Sequence, residues 1–266
     1  MQEELFIEYQ DYSEKNVLIG LSGGINSMAV LCWLAQYPET HKPKVLHLFY
    51  AHFVEHSPDT EQFVKEGYEY ALKHFKEVHF KQTNNSVIDF FREQKMIPHP
   101  MIAPCTRVLK IVPMAEYAKQ NNIDIDLVGY VKEEKRRIKN MHAKNPETLK
   151  TKGFPIADKE NEWCFDIVKN EIGWYPKIYD IKDAKGGRVF PHNNCLPCKN
   201  MQISDFEEVR QYYPEYWQKA IELSNELQRH WGRNKDTFNE NFMTTFGRED
   251  WEVGFKKQSC DVCAFD

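Results

Sequence analysis

The sequence of 266 residues contains no apolar run near the ~18 residues that a membrane-spanning helix needs, so the pattern excludes a transmembrane helix. It also lacks an excess of either charge, because 35 Lys and Arg residues face 40 Asp and Glu residues, for a formal net charge of −5. This balance argues against broad, non-specific nucleic-acid binding but does not argue against a local basic site. The first residues are acidic where a secretory signal would be basic, and we therefore expect a cytoplasmic protein.

A disulfide framework is also missing. The seven cysteines are an odd number and occur without a signal segment. Four of them form two Cys-x-x-Cys pairs, a spacing typical of metal or redox sites: Cys195, Cys198, Cys260 and Cys263. Cys32 lies in an apolar helical stretch and Cys164 follows a tryptophan, so we predict that both are buried, unreactive thiols.

The first half of the chain alternates short apolar runs with helical patterns. Residues 16–21 and 44–50 are typical of buried parallel strands, and residues 78–80 and 126–130 are further strand candidates. Helical spacing covers residues 27–34, 60–75, 87–94 and 108–121. Strands that alternate with helices predict an α/β fold with a doubly wound, mainly parallel, Rossmann-like sheet.

The character of the sequence changes after about residue 140. Residues 142–162 are polar and are interrupted by prolines and a glycine, which predicts a loop, and residues 205–231 form a helical pattern interrupted at Pro214. We expect two domains, an α/β domain over residues 1–182 and a helical, cysteine-containing extension over residues 183–266.

The most informative segment is the turn after the first predicted strand. It reads Ser22-Gly23-Gly24 and leads into a helix that begins near Ser27. Such a turn exposes backbone N–H groups at the positive end of the helix, and glycine lets the backbone come close to an anion. The two serines can add hydroxyl donors. A tight turn without a ligand is the alternative, but the strand–turn–helix context favours an anion site.

Residues 22–27, Ser-Gly-Gly-Ile-Asn-Ser, resemble the PP-loop signature Ser-Gly-Gly-x-Asp-Ser of ATP pyrophosphatases and the adenine nucleotide α-hydrolase superfamily. The Lys-Ser/Thr ending of a Walker P-loop is absent. Asn26 stands where the family usually has aspartate. Where that aspartate helps to hold magnesium, asparagine removes a negative charge and weakens metal binding. The resemblance therefore implies adenine-nucleotide binding, with magnesium as a candidate cofactor, more directly than it implies cleavage of ATP.

Two later segments resemble the adenylylsulfate and phosphoadenylylsulfate (APS/PAPS) reductase family. Residues 105–113, Cys-Thr-Arg-Val-Leu-Lys-Ile-Val-Pro, are similar to its Cys-Cys-Arg-x-x-Lys-x-x-Pro segment. Residues 129–137, Gly-Tyr-Val-Lys-Glu-Glu-Lys-Arg-Arg, are similar to its Gly-x-Arg-x-x-Glu-Ser-x-x-Arg stretch. The first Cys-x-x-Cys pair falls where the family has one, and the order of these motifs supports membership of the superfamily.

The resemblance implies roles for individual residues. The nucleotide-binding set would be Ser22, Gly23, Gly24, Asn26, Ser27, Phe49, Tyr50, Lys110, Gly129, Arg136 and Arg137. The glycine-rich turn would hold the phosphates, the two aromatic residues would contact the adenosine, and the lysine and arginines would bind the remaining anionic groups. For residues 132–139, a solvent-exposed helix face with Glu–Arg pairs is the other interpretation. Cys105 is the candidate catalytic thiol.

Besides two reduced pairs that hold no metal, two interpretations of the paired cysteines as metal ligands stay open. In one, all four hold a structural zinc ion, which ties the C-terminal tail to the loop around residue 195. In the other, Cys105, Cys195 and Cys198 join one tail cysteine around a 4Fe-4S cluster, as the reductase resemblance implies. The family's tandem Cys-Cys is Cys-Thr at positions 105 and 106, so one expected cluster ligand is missing.

The leading functional hypothesis is an adenine-nucleotide-binding enzyme of the APS/PAPS reductase-like group. It would bind ATP, APS or PAPS and act in sulfonucleotide reduction or in ATP-dependent sulfur transfer, with a thiol or sulfur-donor protein as a candidate partner. One alternative is thiolation of a nucleic acid, which the net charge of −5 does not favour. Another is a nucleotide-binding module without catalysis, which Asn26 and Thr106 support.

The cysteine spacing yields a first testable prediction. Protein purified without oxygen should contain about one zinc ion, or about four iron atoms with acid-labile sulfide, per chain. Elemental analysis with a sulfide assay measures this content. Cys198→Ser should remove most of the metal, whereas Cys32→Ala should retain it. Wild-type protein that contains neither zinc nor iron would contradict the prediction.

Overall fold

The computed structural model describes residues 10–95, 104–144, 151–196, 198 and 203–227, and for residues 141–144 and 203–207 it describes the backbone alone. The strands are β1 (Asn16–Gly20), β2 (Val45–Phe53), β3 (Val78–Asn85), β4 (Ile125–Leu127) and β5 (Lys152–Gly153). The helices are α1 (Ile25–Ala35), α2 (Thr60–His74), α3 (Val87–Glu93), α4 (Val112–Gln120), α5 (Lys135–Lys144), α6 (Asn161–Glu171), α7 (Ile203–Tyr212) and α8 (Pro214–Leu227).

The five strands form one sheet in the order β3-β2-β1-β4-β5. β1 pairs in parallel with β2 and with β4, and Leu18 lies opposite both His47 and Asp126. β4 and β5 are also parallel. The backbone hydrogen bonds Leu46 N to Glu77 O and Val54 N to Asn85 O advance along β2 and β3 in the same direction. The predicted α/β fold with a parallel, Rossmann-like sheet is therefore confirmed.

β1 lies at the centre of the sheet because its side chains are apolar without interruption. Val17, Leu18 and Ile19 are at most 1% exposed. A strand covered by helices on both faces needs apolar residues at every position, whereas a strand with one wet face alternates. The continuous apolar run after Asn16 predicts a buried parallel strand, and the structure confirms this.

Helices α1 and α6 pack against each other, which explains two of the cysteines. Cys32 of α1 and Cys164 of α6 are fully buried, as the sequence predicted. Burial raises the pKa of the Cys164 thiol to about 12, with smaller contributions from Glu133 and Glu134. Burial also raises the pKa of Cys32, so both thiols stay protonated near neutral pH.

The structure differs from the sequence expectation between residues 142 and 162. α5 continues to Lys144, the two-residue strand β5 lies at Lys152–Gly153, and α6 begins at Asn161. A strand of two residues is too short to give an alternating or continuous apolar pattern. The predicted helix over residues 205–231 is confirmed as α7 and α8, up to residue 227 and with the expected break before Pro214. Within the described ranges, each helix is too short or too polar to cross a bilayer.

The chain divides into two compact units, each assembled from separate stretches. The first comprises residues 1–50, 62–81 and 116–175, and the second comprises residues 51–61, 82–115 and 176–266. The first unit contains β1, β4, β5 and the α1–α6 pair, and the second contains α3, α7 and α8. A division into domains at residue 182 stays a prediction.

In the second unit a buried carboxylate caps helix α3. Glu55 is 2% exposed, and its carboxylate accepts hydrogen bonds from the Ser86 hydroxyl (2.6 Å), Val87 N (2.9 Å) and Ile88 N (3.3 Å). Ser86 is the N-cap residue and accepts a hydrogen bond from Asp89 N at 3.0 Å. These contacts satisfy N–H groups that the first turn of a helix leaves without partners.

We predict that Glu55→Gln lowers the free energy of unfolding by about 1–3 kcal/mol, because the amide accepts fewer hydrogen bonds and carries no charge at the helix N-terminus. Glu93→Gln on the same helix is the matched control, since Glu93 is exposed at the helix C-terminus. Urea unfolding followed by circular dichroism compares the two variants. Equal, small effects of both substitutions would contradict this account of Glu55.

Candidate functional site

The candidate site begins at the point where the strand connections reverse direction. β1 connects through α1 to β2 on one side, and β4 pairs with β1 on the other side. In open parallel sheets, ligands bind in the crevice outside the carboxyl ends of such neighbouring strands. Here the turn after β1 contains residues 21–24 and the turn after β4 contains residues 128–131, both within the first unit.

Ser27 gives the turn after β1 its shape. Its hydroxyl donates to Gly24 O at 3.0 Å, accepts from Ser22 N at 3.1 Å and lies 3.1 Å from the Ser22 hydroxyl. Gly23 has φ +78°, a left-handed conformation that glycine adopts without strain. Ser27 is buried and Ser22 is exposed. Ser22 Oγ also accepts from Gly24 N at 3.3 Å, so the buried Ser27 and the exposed Ser22 together hold the turn.

The N-terminus of α1 has features that favour the binding of an anion. Its N-cap residue is Gly24, with no side-chain cap, and its first turn contains no acidic residue. Backbone N–H groups at such a terminus carry partial positive charge, reinforced by the helix dipole. A phosphate or another oxyanion is the ligand that this arrangement stabilises.

The turn after β4 comes unusually close to this helix terminus. A Cβ atom added to Gly129 would lie 2.8 Å from Asn26 O and 3.2 Å from Ser27 N, both backbone atoms. Because backbone cannot move aside as a flexible side chain can, only glycine fits at this position. The structure thus brings together Gly129 and the turn at residues 22–27.

Glu134 stands beside the same helix terminus. Asn26 Nδ2 donates to Glu134 Oε2 at 3.4 Å, and Val131 N donates to the same oxygen at 3.4 Å. The Arg137 guanidinium forms an ion pair with this carboxylate and lies over the ring of Tyr130 at 4.8 Å. Arg137 therefore contacts Glu134, and the neighbouring Arg136 is exposed on α5. Phosphate contacts of either arginine stay predictions.

The two aromatic residues predicted to contact adenosine are buried in the middle of β2, because this strand continues beyond them to Phe53. Phe49 is 3% exposed and packs against Tyr117 with ring centroids 5.6 Å apart, and Tyr50 is fully buried. Tyr117 also shares a 2.9 Å hydrogen bond with His47, whose pKa is lowered by burial and by His79. Both predicted residues belong to the core here, and their contact with adenosine stays a prediction.

The second unit contains the other predicted residues. Cys105 is half-buried and lies just before a π-helical turn at Arg107–Ile111, a conformation frequent at functional sites. Within that turn, Lys110 places its ammonium 4.9 Å from the centre of the Phe53 ring. The helical spacing of residues 108–121 predicts a helix but contains no signal for a π-helical turn.

Cys195 is buried close to these residues. Burial raises the pKa of its thiol to about 12, Lys110 opposes this shift, and Cys105 and Glu55 add to it. Leu196 N donates to Glu55 O at 2.7 Å, which anchors the first cysteine pair. Cys195 thus lies within electrostatic reach of both Cys105 and Lys110.

The cysteines of the described residues do not complete a metal site. In that part of the chain no three Cys, His, Asp or Glu side chains are grouped so that they could hold a metal ion. Cys195 is buried and Cys198 is half-buried, and Cys260 and Cys263 lie outside the described residues. These donors alone do not fit zinc or a 4Fe-4S cluster, and either metal stays a prediction.

Two residues of these sites were not singled out by sequence reasoning. Glu134 lies inside the motif at residues 129–137, yet its spacing to the arginines suggested only an exposed helix face. Glu55 follows the end of β2 in a sequence typical of a surface loop, and nothing in the sequence signals its burial. Both residues depend on contacts that are distant in sequence. Glu55 contacts Ser86, 31 positions away, and Glu134 contacts Asn26, 108 positions away.

Comparisons with known proteins give a likeness of fold only. No model of a protein family and no curated protein sequence matches the chain. The U34-tRNA thiolase NcsA from Methanococcus maripaludis, solved with its 4Fe-4S cluster, is similar with 15% identity and a TM-score of 0.39, over 96% of this chain and 82% of that protein. The NMN synthetase from Francisella tularensis has 14% identity and a TM-score of 0.41, over 84% and 90%. Likenesses this low say nothing about activity.

Proposed function

We propose that the chain is an enzyme that binds an adenine nucleotide at the turns after β1 and β4. The observation that carries the proposal is the meeting of these turns at the reversal of the sheet, with Gly129 against the backbone of Asn26. The phosphates would accept hydrogen bonds from the N–H groups at the start of α1 and from the hydroxyl of the exposed Ser22.

The electrostatics of the turn support a ligand with dispersed negative charge. The first turn of α1 contains no acidic residue, and position 26 is a neutral amide. The carboxylate of Glu134 is balanced by Arg137 and is largely buried, since its side chain is 15% accessible. The phosphates therefore meet little uncompensated negative charge from the described neighbours of the turn.

We further propose that the enzyme works in sulfur chemistry. Cys105, with Lys110 in the adjoining π-helical turn and Cys195 within electrostatic reach, is the candidate reacting thiol. A nearby ammonium stabilises a thiolate, which is the nucleophilic form. ATP-dependent sulfur transfer and reduction of APS or PAPS both use such a thiol, and nucleotide preference separates the two reactions.

Calorimetric titration with ATP, APS and PAPS tests the proposal. We predict that one of these nucleotides binds and that Ser27→Ala weakens its binding about tenfold or more, because the turn loses the hydroxyl that fixes its backbone. Ser224→Ala is the matched control, since the Ser224 hydroxyl is buried in α8 without a hydrogen-bond partner in the described residues. Its affinity should stay within about twofold of wild type.

The reaction follows from the preferred nucleotide. Preference for ATP with release of AMP or pyrophosphate in the presence of a sulfur donor supports sulfur transfer. Preference for APS or PAPS with thiol-dependent release of sulfite supports reduction. Absence of binding to all three nucleotides would overturn the proposed site, and binding that is equal in wild type and Ser27→Ala would overturn its location.

A further inference from the structure

Glu134 accepts a hydrogen bond from Asn26 at 3.4 Å, and its carboxylate has two further donors. Asn26 Nδ2, Val131 N and the Arg137 guanidinium all donate to its carboxylate. The side chains of Glu134 and Arg137 are 15% and 14% exposed, so solvent screens the pair weakly. A carboxylate that accepts from these three donors can fix their orientation.

This carboxylate fixes which way the Asn26 amide faces. An ionised carboxylate only accepts hydrogen bonds, so the NH₂ group of Asn26 must face Glu134 and the carbonyl oxygen must face away. Asn26 Oδ1 is buried and has no donor among the described residues. A buried acceptor without a partner is costly, and a donor that arrives with the ligand would satisfy it.

We propose that Glu134 is a positioning residue of the nucleotide site: it orients Asn26 and supplies the single negative charge that the pair can hold. The inference rests on the proposed nucleotide binding. Because residue 26 is a neutral amide, the pair holds its negative charge at position 134. Two carboxylates at 3.4 Å would repel each other, whereas one carboxylate and one amide form a hydrogen bond.

If Asn26 and Glu134 act as an amide–carboxylate pair, exchanging the amide and the carboxylate between the two positions should preserve the hydrogen bond. Asn26→Asp alone places two carboxylates side by side at a phosphate site, and it should weaken nucleotide binding about tenfold or more, or about 1.4 kcal/mol. The double variant Asn26→Asp with Glu134→Gln restores one carboxylate and one amide, since the new amide at position 134 can donate to the new carboxylate at position 26. Its affinity should return to within about threefold of wild type.

The experiment measures ATP affinity by calorimetry for wild type, both single variants and the double variant, with Glu133→Gln as the matched control. Glu133 is the exposed neighbour that accepts a hydrogen bond from Asn161 N, and its variant should bind ATP like wild type. A purely structural role of Glu134 would give losses that add in the double variant. A double variant as weak as Asn26→Asp, or weaker, would overturn the proposal.

Unfolding of the same proteins without nucleotide keeps this test separate from the proposed function. The proposal predicts that the two substitutions are coupled, so that the double variant is more stable than the sum of the single effects. If wild type binds no nucleotide, the proposed function fails. The coupling measured by unfolding still shows whether Asn26 and Glu134 interact. Additive effects on stability would overturn the positioning role irrespective of nucleotide binding.

Discussion

The close approach of Gly129 to the backbone of Asn26 is the constraint on which the candidate site depends. It is possible because β1 and β4 are direct neighbours, so that the turns after them meet at the same edge of the sheet. A side chain at position 129 would push the turn away from the start of α1. The chain that follows Gly129 also places Glu134 against Asn26, whose Nδ2 donates to its carboxylate. The contact between Gly129 and the backbone of Asn26 therefore holds the two turns together. It also lets Glu134 orient the side chain of Asn26.

The two units place their polar groups in different environments. At the turn after β1, an exposed serine and helix N–H groups face outward, an arrangement that suits a charged ligand. Around Cys195, burial favours the neutral thiol and Lys110 favours the thiolate. Cys105 is less buried than Cys195, so it is the better candidate for a reacting thiol, whereas Cys32 and Cys164 serve the packing of α1 against α6. The cysteines thus take separate roles according to the burial of their thiols.

The sequence was sufficient for features that depend on neighbouring residues. The apolar run of β1, the glycine-rich turn and the break at Pro214 each follow from local chemistry, and the structure has all three. Features that depend on distant contacts were not predictable. Glu55 caps a helix 31 residues away, Gly129 matters because of an atom of Asn26, and Phe49 is covered by Tyr117. β5 is too short for any periodicity, and a π-helical turn has the same composition as a regular helix.

The most direct test of the central claim is amide hydrogen exchange with and without the preferred nucleotide. N–H groups that bind phosphate, and turns that the ligand orders, exchange more slowly in the complex. We predict added protection in peptides covering residues 21–28 and 128–134, with peptides of α8 unchanged as the internal reference. Protection confined to other segments, or nucleotide binding that leaves both turns unchanged, would contradict a nucleotide site at the meeting of these two turns.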